Sequence, residues 1–289
     1  MKVLITGADG QLGADLCKAL TKHELVTLTI GDGDIADLDF ISGQALRHWP
    51  DVIINTASFV RVDDCEDQRE LAFRVNSLGA KNAALAAQEI HARLVHISTD
   101  YIFGGEAVPR TTPYLEADGP SPCNAYGASK QEGDSYVRAL CGNHVIVRSS
   151  ALFGVAGALG KGGNFVETII KLAKERPELR VVNDQVFSPT YTRDLADKIG
   201  QIIETDFNGI VHVTNNGICS WYEFAAEILR QAGLKTPVLP ITSAQFPQKA
   251  KRPGYSVLGH GVLQKLGMDD LRPWQEALED YLRYKGHIA

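Results

Sequence analysis

A glycine-rich turn at the start of the chain constrains its fold most strongly. A short apolar run rich in β-branched residues ends at Thr6, three glycines follow in the spacing Gly-x-x-Gly-x-x-Gly, and a helix-forming stretch comes next. Glycines placed between a strand and a helix let the backbone turn tightly and approach a phosphate, which the helix N-terminus attracts. This pattern predicts a dinucleotide site formed by Gly7, Gly10, Gln11, Leu12 and Gly13.

Strand-like and helix-like segments alternate along the rest of the chain. Segments rich in apolar and β-branched residues predict strands at residues 3–6, 25–30, 52–55, 93–98, 144–148, 179–182 and 210–213. Helix-like stretches such as 70–88 and 130–140 lie between them. The alternation predicts an α/β fold with a doubly wound parallel (Rossmann) sheet. We expect a dinucleotide-binding domain over residues 1–150 and a smaller C-terminal substrate domain over 151–289, with segments near 179–213 returning to the first domain.

Composition narrows the functional class. The net charge of −6 and the pI near 5.8 argue against a nucleic-acid partner. We find no apolar run long enough to span a membrane and no signal-peptide pattern. The five cysteines are scattered without a Cys-x-x-Cys motif, which indicates reduced thiols and a cytoplasmic location, without a disulfide framework or a zinc site.

Two short motifs supply groups that can act on one oxygen atom. Tyr126 and Lys130 are four residues apart and therefore lie on one face of a helix, and Thr99 follows an upstream strand. A free tyrosine has a pKa of about 10, which a nearby ammonium lowers. We interpret the three as an acid–base group. Tyr281 and Lys285 have the same spacing, and we interpret them as structural, with the cation near the end of a terminal helix.

The candidate residues are predicted to meet at one edge of the sheet. In doubly wound sheets, ligands bind beyond the carboxyl ends of the strands. Thr56 and Ala57 follow the third predicted strand, Tyr101 follows the fourth and Ala151 follows the fifth. Each of two later segments has two alternative interpretations. The glycine-rich segment 154–165 is a surface loop or a lid, and the basic segment 237–253 faces an anionic substrate or is a solvated connection.

The chain resembles the extended short-chain dehydrogenases/reductases, and within them the dTDP-4-dehydrorhamnose reductases and related nucleotide-sugar 4-ketoreductases. The resemblance runs from end to end and rests most on Ser98-Thr-Asp-Tyr101 joined to Tyr126-x-x-x-Lys130. Weaker matches follow in order, among them Leu38-Asp-Phe40, Val75-Asn76, Gly163-Asn-Phe165 and Arg252-Pro253. The resemblance implies reduction of the 4-keto group of a nucleotide-linked 6-deoxy sugar by hydride from NADH or NADPH, as in dTDP-rhamnose biosynthesis.

The resemblance also implies a role for each matching residue. Tyr126 would give a proton to the sugar carbonyl oxygen, Thr99 would hydrogen-bond that oxygen, and Lys130 would bind the nicotinamide ribose and lower the pKa of Tyr126. The further cofactor residues would be Asp39, Phe40, Thr56, Ala57 and Asn76. The residues on the nucleotide-sugar side would be Tyr101, Ala151, Asn164, Phe165 and Arg252.

Several departures from the family leave the sugar open. Ala151 stands where relatives usually have Trp, Val60 where they have Thr, and Gly104 where Asp is common. Some relatives dimerise through carboxylate-bound magnesium. Asp15 matches one such ligand but Arg193 stands in place of another, so we assign no metal and leave a homodimer open.

Three alternative functions were weighed. A nucleotide-sugar dehydratase needs an Asp-Glu pair after the catalytic Thr, whereas Thr99 is followed by Asp100 and Tyr101. An epimerase of the same superfamily is poorly excluded by these motifs. A non-catalytic, cofactor-binding regulatory subunit would be expected to lack Tyr126 or Lys130, and both are present.

The loop after the second strand bears on the choice of cofactor. No Lys or Arg occurs between Lys22 and Arg47, and Asp32 has about the spacing of a carboxylate that accepts hydrogen bonds from the adenosine ribose. Such a carboxylate repels a ribose phosphate. We therefore expect a mild preference for NADH, unless these acids only cap and solvate the loop.

Overall fold

A six-stranded parallel sheet forms the centre of the molecule. The computed structural model describes residues 1–157 and 163–289. The strands of the sheet are β1 (Lys2–Thr6), β2 (Glu24–Leu28), β3 (Val52–Asn55), β4 (Arg93–Thr99), β5 (His144–Ser149) and β10 (Gly209–His212). They lie in the order β10-β5-β4-β3-β1-β2, and every neighbouring pair is parallel. The apolar side chains of β1, β3, β4 and β5 are buried on both faces, which explains why these segments show no polar alternation.

Helices cover both faces of this sheet. One face packs on α1 (Gln11–Ala19) and α8 (Thr192–Ile202) through a shared apolar core. The other packs on α2 (Leu38–His48), α5 (Gly79–Glu89) and α6 (Ala125–Leu140). Short helices α3 (Val62–Asp67) and α4 (Arg69–Phe73) precede α5, and a π-helical turn (Arg74–Leu78) joins α4 to it. The predicted doubly wound parallel fold is confirmed.

The strand order reverses between β1 and β3. The chain passes from β1 outward to β2 and then returns to place β3 on the other side of β1. A crevice opens at such a reversal, outside the carboxyl ends of the strands. The turn after β1 and residues 56–60 after β3 lie side by side at this reversal, and the predicted ligand site falls beside them.

The later part of the chain forms a second apolar core beside the sheet. Its helices are α7 (Phe165–Glu175), α9 (Trp221–Gln231) and α11 (Trp274–Tyr284), whereas α10 (Gly261–Lys265) packs on the core of the central sheet through Leu263. Its short strands pair as β6 (Leu152–Phe153) with β9 (Thr190–Tyr191), β7 (Leu179–Val182) with β12 (Val238–Ile241), and β8 (Val186–Phe187) with β11 (Cys219–Ser220). Stacked and edge-on aromatic rings fill this core, including Phe153, Tyr191 and Phe224.

Several local predictions differ from the observed elements. The predicted strand at 179–182 pairs with β12 outside the six-stranded sheet, whereas β10 and α8 pack with the sheet. The division of the chain near residue 150 stays a prediction. Helix α6 begins before the predicted residue 130, because the Asn124 side chain accepts a hydrogen bond from the Gly127 amide and caps it. Both Tyr126 and Lys130 therefore lie within α6.

Two further observations bear on the sequence analysis. The glycine-rich segment 154–165, interpreted as a loop or a lid, has residues 158–162 outside the described part of the chain. Among the described residues, no helix is long and apolar enough to cross a membrane.

Two glycines give a matched test of the turn after β1. A Cβ on Gly13 would lie 2.2 Å from the Gly7 carbonyl oxygen, whereas a Cβ on Gly43, inside α2, would meet nothing within 4 Å. We expect Gly13→Ala to lower the free energy of unfolding by about 1–3 kcal/mol through backbone displacement. We expect Gly43→Ala to raise it by about 0.5–1 kcal/mol, because alanine favours a helix interior. Denaturant unfolding measures both, and a Gly13→Ala protein as stable as the unmodified chain would refute the close approach.

Candidate active site

One large cavity lies at the carboxyl ends of the central strands. Its volume is about 600 Å³, and its lining includes residues that follow β1, β2, β3, β4 and β5. Side chains of the C-terminal core, such as Phe165, Phe187 and Trp221, close its far side. The cavity is thus shared by the part of the fold predicted to bind a dinucleotide and the part predicted to bind a substrate.

The turn between β1 and α1 leaves backbone amides available to an anion. Gly7 has a φ of +68°, and the Gly10 amide donates to its carbonyl oxygen at 3.0 Å. Gly10 is the N-cap residue of α1, and no side chain caps the amides of the first helical turn. Gln11 lines the cavity, and its buried Oε1 has no hydrogen-bond partner among the described residues. An open helix N-terminus with an unsatisfied acceptor beside it fits the diphosphate and ribose of a dinucleotide.

The loop after β2 presents a different acid from the one predicted. Asp34 and Phe40 line the cavity, whereas Asp32 and Asp39 lie outside its lining. The Asp32 carboxylate accepts hydrogen bonds from the amide and the hydroxyl of Thr29, both at 2.8 Å, and these lower the pKa of Asp32. This geometry agrees with the alternative that Asp32 caps its own loop.

A cation reaches this loop from a distant segment. Arg74, on the π-helical turn, donates through Nη2 to Asp34 Oδ2 at 2.5 Å. Sequence reasoning missed the pair because it searched for cations only near the end of β2. Only the packing of the 69–89 helical segment against the loop brings Arg74 there.

Asn76 acts behind the cavity wall. It is buried, and its Oδ1 accepts hydrogen bonds at 2.8 Å from the Ser58 hydroxyl and from the Phe59 amide. Its Nδ2 donates to Ser129 Oγ on α6 at 3.0 Å. The side chain therefore holds the cavity-lining segment after β3 against α6. Thr56, in the same segment, donates to the Thr6 carbonyl oxygen at 2.6 Å and lines the cavity beside Ala57.

The three predicted catalytic residues line the same cavity. Thr99 ends β4, and Tyr126 and Lys130 lie one turn apart on α6. The Lys130 ammonium is buried and donates to the Ile97 carbonyl oxygen at 2.6 Å, with His96 Nε2 at 3.5 Å. The arrangement brings a hydroxyl, a phenol and an ammonium together at one strand end.

Burial controls the pKa of Tyr126. Desolvation raises it above the ordinary value for tyrosine, and hydrogen bonds with Thr99 and Ser58 lower it only in part. In this structure, the raising effect of burial outweighs the lowering that we expected from Lys130. The phenol therefore stays protonated at neutral pH, which is the form a proton donor requires. Burial also lowers the pKa of Lys130, to about 8.

Asp100 is a buried acid that the sequence analysis did not assign to the site. Its carboxylate accepts hydrogen bonds from the hydroxyls of Thr99 (3.2 Å), Ser150 (2.8 Å) and Ser256 (2.6 Å). Burial raises its pKa to about 6 despite these bonds. It ties the end of β4 to the segment after β5 and to the C-terminal loop that carries Ser256. Its position directly after Thr99 is the signal that could have marked it.

Two residues predicted to contact the sugar nucleotide are held by protein groups. Asn164 lines the cavity, but its Nδ2 donates to the Gly154 carbonyl oxygen (2.9 Å) and to the Tyr281 hydroxyl (3.0 Å), while its Oδ1 caps α7. Arg252 lies outside the lining and pairs bidentately with Asp63 at 2.6 and 2.7 Å. The Asp63 pKa falls to about 2 as a result.

Most predicted site residues line the cavity, and five do not. Those in the lining are Gly7, Gly10, Gln11, Leu12, Phe40, Thr56, Ala57, Thr99, Tyr101, Tyr126, Lys130, Ala151, Asn164 and Phe165. Those outside it are Gly13, Asp32, Asp39, Asn76 and Arg252. The Tyr101 ring stands edge-on to the Tyr126 ring, with centroids 5.9 Å apart. Ala151 and Val60 also line the cavity.

Comparison with known proteins gives full-length matches. Residues 1–285 match the model of the RmlD substrate binding domain family. The chain is 43% identical over 284 residues to the spore coat polysaccharide biosynthesis protein SpsK of Bacillus subtilis, a match that covers 98% of this chain and 97% of the relative.

Solved structures agree. A dTDP-4-dehydrorhamnose reductase from Clostridium acetobutylicum superposes with a TM-score of 0.93 at 42% identity, covering 99% of this chain and all of that one. A dTDP-4-dehydrorhamnose reductase from Bacillus anthracis in complex with NADP gives 0.92 at 40% identity, with 98% and 99% covered. With the family model matched from residue 1 to 285 and the fold reproduced along the whole chain, this protein belongs to the RmlD substrate binding domain family.

Proposed function

We propose that this protein is an NAD(P)H-dependent reductase of the 4-keto group of a nucleotide-linked 6-deoxy sugar. The observation that carries the proposal is the convergence of Thr99, Tyr126 and Lys130 on a cavity that also contains the glycine turn. Relatives of similar length named dTDP-4-dehydrorhamnose reductase support it, one of them 38% identical over 286 residues. A cavity of about 600 Å³ falls in the range of sites that enclose small ligands.

The residues of the site divide the work of ketone reduction. A bound nicotinamide supplies the hydride to the carbonyl carbon. Tyr126 Oη gives its proton to the carbonyl oxygen, where negative charge develops, and Thr99 Oγ1 hydrogen-bonds the same oxygen. The Lys130 ammonium lines the same cavity one helical turn from Tyr126 and favours that negative charge electrostatically. Solvent then returns a proton to the Tyr126 phenolate.

The open helix N-terminus and the residues after β2 and β3 would hold the cofactor. The amides of Gln11 and Leu12 in the first turn of α1 would take the diphosphate, and Phe40 would pack against the adenine. The sugar nucleotide would occupy the end lined by Tyr101, Ala151 and Phe165. A cytoplasmic location, and the oligomeric state, stay predictions.

The other functions considered are less well supported. A dehydratase requires a second acid after Asp100, and Tyr101 occupies that position with its ring against Tyr126. A regulatory subunit would not need a phenol held protonated next to a threonine hydroxyl. An epimerase would use much of the same geometry, and net oxidation of NADH or NADPH by a 4-keto substrate separates the two activities.

We propose that both NADH and NADPH are used, without the preference for NADH inferred from the acidic loop. Asp34 alone would repel a ribose phosphate, but its carboxylate is paired with Arg74. The Arg74 guanidinium can release the carboxylate and bind a phosphate instead. Each of these anions offers two oxygens that accept a pair of N–H donors. A relative 40% identical to this chain was solved in complex with NADP.

The proton-donor role predicts a large effect of removing one oxygen. We expect Tyr126→Phe to lower kcat at least ~100-fold, the usual scale of general acid catalysis, and to leave the dissociation constant for the cofactor nearly unchanged. The measurement is NADPH oxidation with a panel of nucleotide-linked 4-keto-6-deoxy sugars.

Tyr136→Phe is the matched control, since Tyr136 lies on the same helix and its ring faces Lys81 at 5.5 Å, away from the cavity. It should keep normal turnover. Tyr281→Phe is unsuitable, because the Tyr281 hydroxyl bonds Asn164 and Glu167. Near-normal turnover in Tyr126→Phe would eliminate the assignment.

The cofactor proposal predicts a selective effect at Arg74. We expect Arg74→Ala to lower kcat/KM for NADPH by about tenfold or more, the size of a lost charge-assisted hydrogen bond, while NADH changes by less than about threefold. Steady-state kinetics with each cofactor at one sugar concentration measures it. Arg69→Ala, an arginine of the preceding helix that packs on the Phe73 ring, is the control. An equal loss for both cofactors would contradict the proposal.

A further inference from the structure

Lys130 and Asp134 are two buried residues of opposite charge on one face of α6. The two residues are one helical turn apart, and each exposes 4% or less of its surface. This face of α6 packs on β4 and β5, where Ser98 and Arg148 are register neighbours. The Asp134 carboxylate is therefore buried between α6 and these two strands.

The contacts of Asp134 connect it to a second cation. Its Oδ2 accepts from Arg148 Nε at 3.4 Å, and Arg148 is also buried. Its Oδ1 lies 3.8 Å from His96 Nε2, and that nitrogen is 3.5 Å from the Lys130 ammonium. The Asp134 carboxylate thus contacts Arg148 directly, and His96 lies between it and the Lys130 ammonium.

The neighbouring histidine does not supply a compensating charge. Asn55 Oδ1 accepts from the Ala57 amide at 3.2 Å, so the Asn55 amino group is the part that faces His96 Nδ1, also at 3.2 Å. His96 Nδ1 is then an acceptor, and the ring proton is on Nε2. Burial, with the Lys130 ammonium, holds the His96 pKa well below its ordinary value, so the ring stays neutral.

The buried Lys130 ammonium needs a counter-charge, and the nearby Asp134 carboxylate is the group that offers one. Taking a charge out of water favours its neutral form unless an opposite charge is near. Desolvation lowers the Lys130 pKa to about 8, and the Asp134 charge acts in the opposite direction. The hydrogen bond to Ile97 is to a neutral carbonyl oxygen.

We propose that Asp134 is a positioning residue that keeps Lys130 charged at neutral pH, an inference that rests on the proposed role of Lys130 in ketone reduction. The catalytic group is Lys130, and Asp134 acts only through it. Arg148 and Ser98 in turn favour the ionised carboxylate: burial raises the Asp134 pKa, and these two partners and Lys130 oppose that rise.

The sign of the pH effect follows from the surrounding groups. Those that face the pair are His96 from β4, Arg148 from β5, and Tyr126 one turn earlier on α6. Asp100, from the turn after β4, acts on the pKa of Tyr126. Lys130 is charged below about pH 8. Removing the Asp134 charge lowers that pKa further, so activity should be lost at a lower pH.

The first test is the pH profile of kcat/KM. We expect Asp134→Asn to move the alkaline limb to lower pH by about one unit or more, so that activity recovers on acidification. Asp134→Glu, which keeps the charge, should keep the limb near its original place. Asp194→Asn is the matched control, because Asp194 forms a comparable part-buried ion pair with Arg272 away from this site. It should destabilise the protein without moving the limb.

The second test reads Lys130 directly in the ligand-free protein. With ¹³Cε-labelled lysine, and Lys130→Met to assign its signal, the titration of Lys130 should shift to lower pH in Asp134→Asn. If that variant does not fold, Asp134→Asn combined with Arg148→Gln removes the carboxylate together with its buried cation and should give a smaller shift in the same direction. An unmoved Lys130 titration would overturn the inference. Because this readout needs no substrate, absence of activity in the unmodified enzyme would count against the proposed function alone.

Discussion

A row of hydrogen-bonded side chains across three neighbouring strands is the constraint on which the site depends. Asn55 at the end of β3 accepts from the Thr6 hydroxyl on β1 at 2.8 Å and contacts His96 on β4 at 3.2 Å. All three are buried. A buried polar group that loses its partner costs about 1–3 kcal/mol, so these strands cannot slide past one another. The row fixes the loops that follow each strand, and those loops form the cavity wall.

The buried charges behind the cavity wall depend on that fixed edge. The Lys130 ammonium reaches the Ile97 carbonyl oxygen because α6 packs closely on β4, and Asp134 meets Arg148 one turn farther on. The hydroxyls of Thr99, Ser150 and Ser256 surround the Asp100 carboxylate. Every one of these groups is removed from water, where electrostatic interactions are stronger and an unpaired charge is costly. The polar interior is therefore a connected set, and a change at one member is expected to alter the protonation of another.

The C-terminal part contributes walls and links to the site. Asn164 caps α7 and holds Gly154, and Arg252 joins Asp63 of α3 to the C-terminal loop. The nearby pair of Lys249 with Asp67 repeats the link between the loop and α3. Asn164 and Arg252 were predicted to contact a ligand, yet each of them forms hydrogen bonds or ion pairs with other protein groups. These contacts hold the C-terminal part of the chain and the sheet-forming part together around one cavity.

The sequence by itself determined the strand, turn and helix at the N-terminus, the doubly wound sheet, and the placing of Tyr126 and Lys130 on one helix face with Thr99 at a strand end. Each follows from local spacing or hydrophobic periodicity, which a linear pattern records. Tertiary structure alone decided that Asp34 faces the cavity while Asp32 turns to Thr29, that Arg74 meets Asp34, and that burial outweighs Lys130 in setting the Tyr126 pKa. These outcomes depend on which distant segments meet and on how much water they exclude, and neither quantity is encoded in the spacing of residues along the chain.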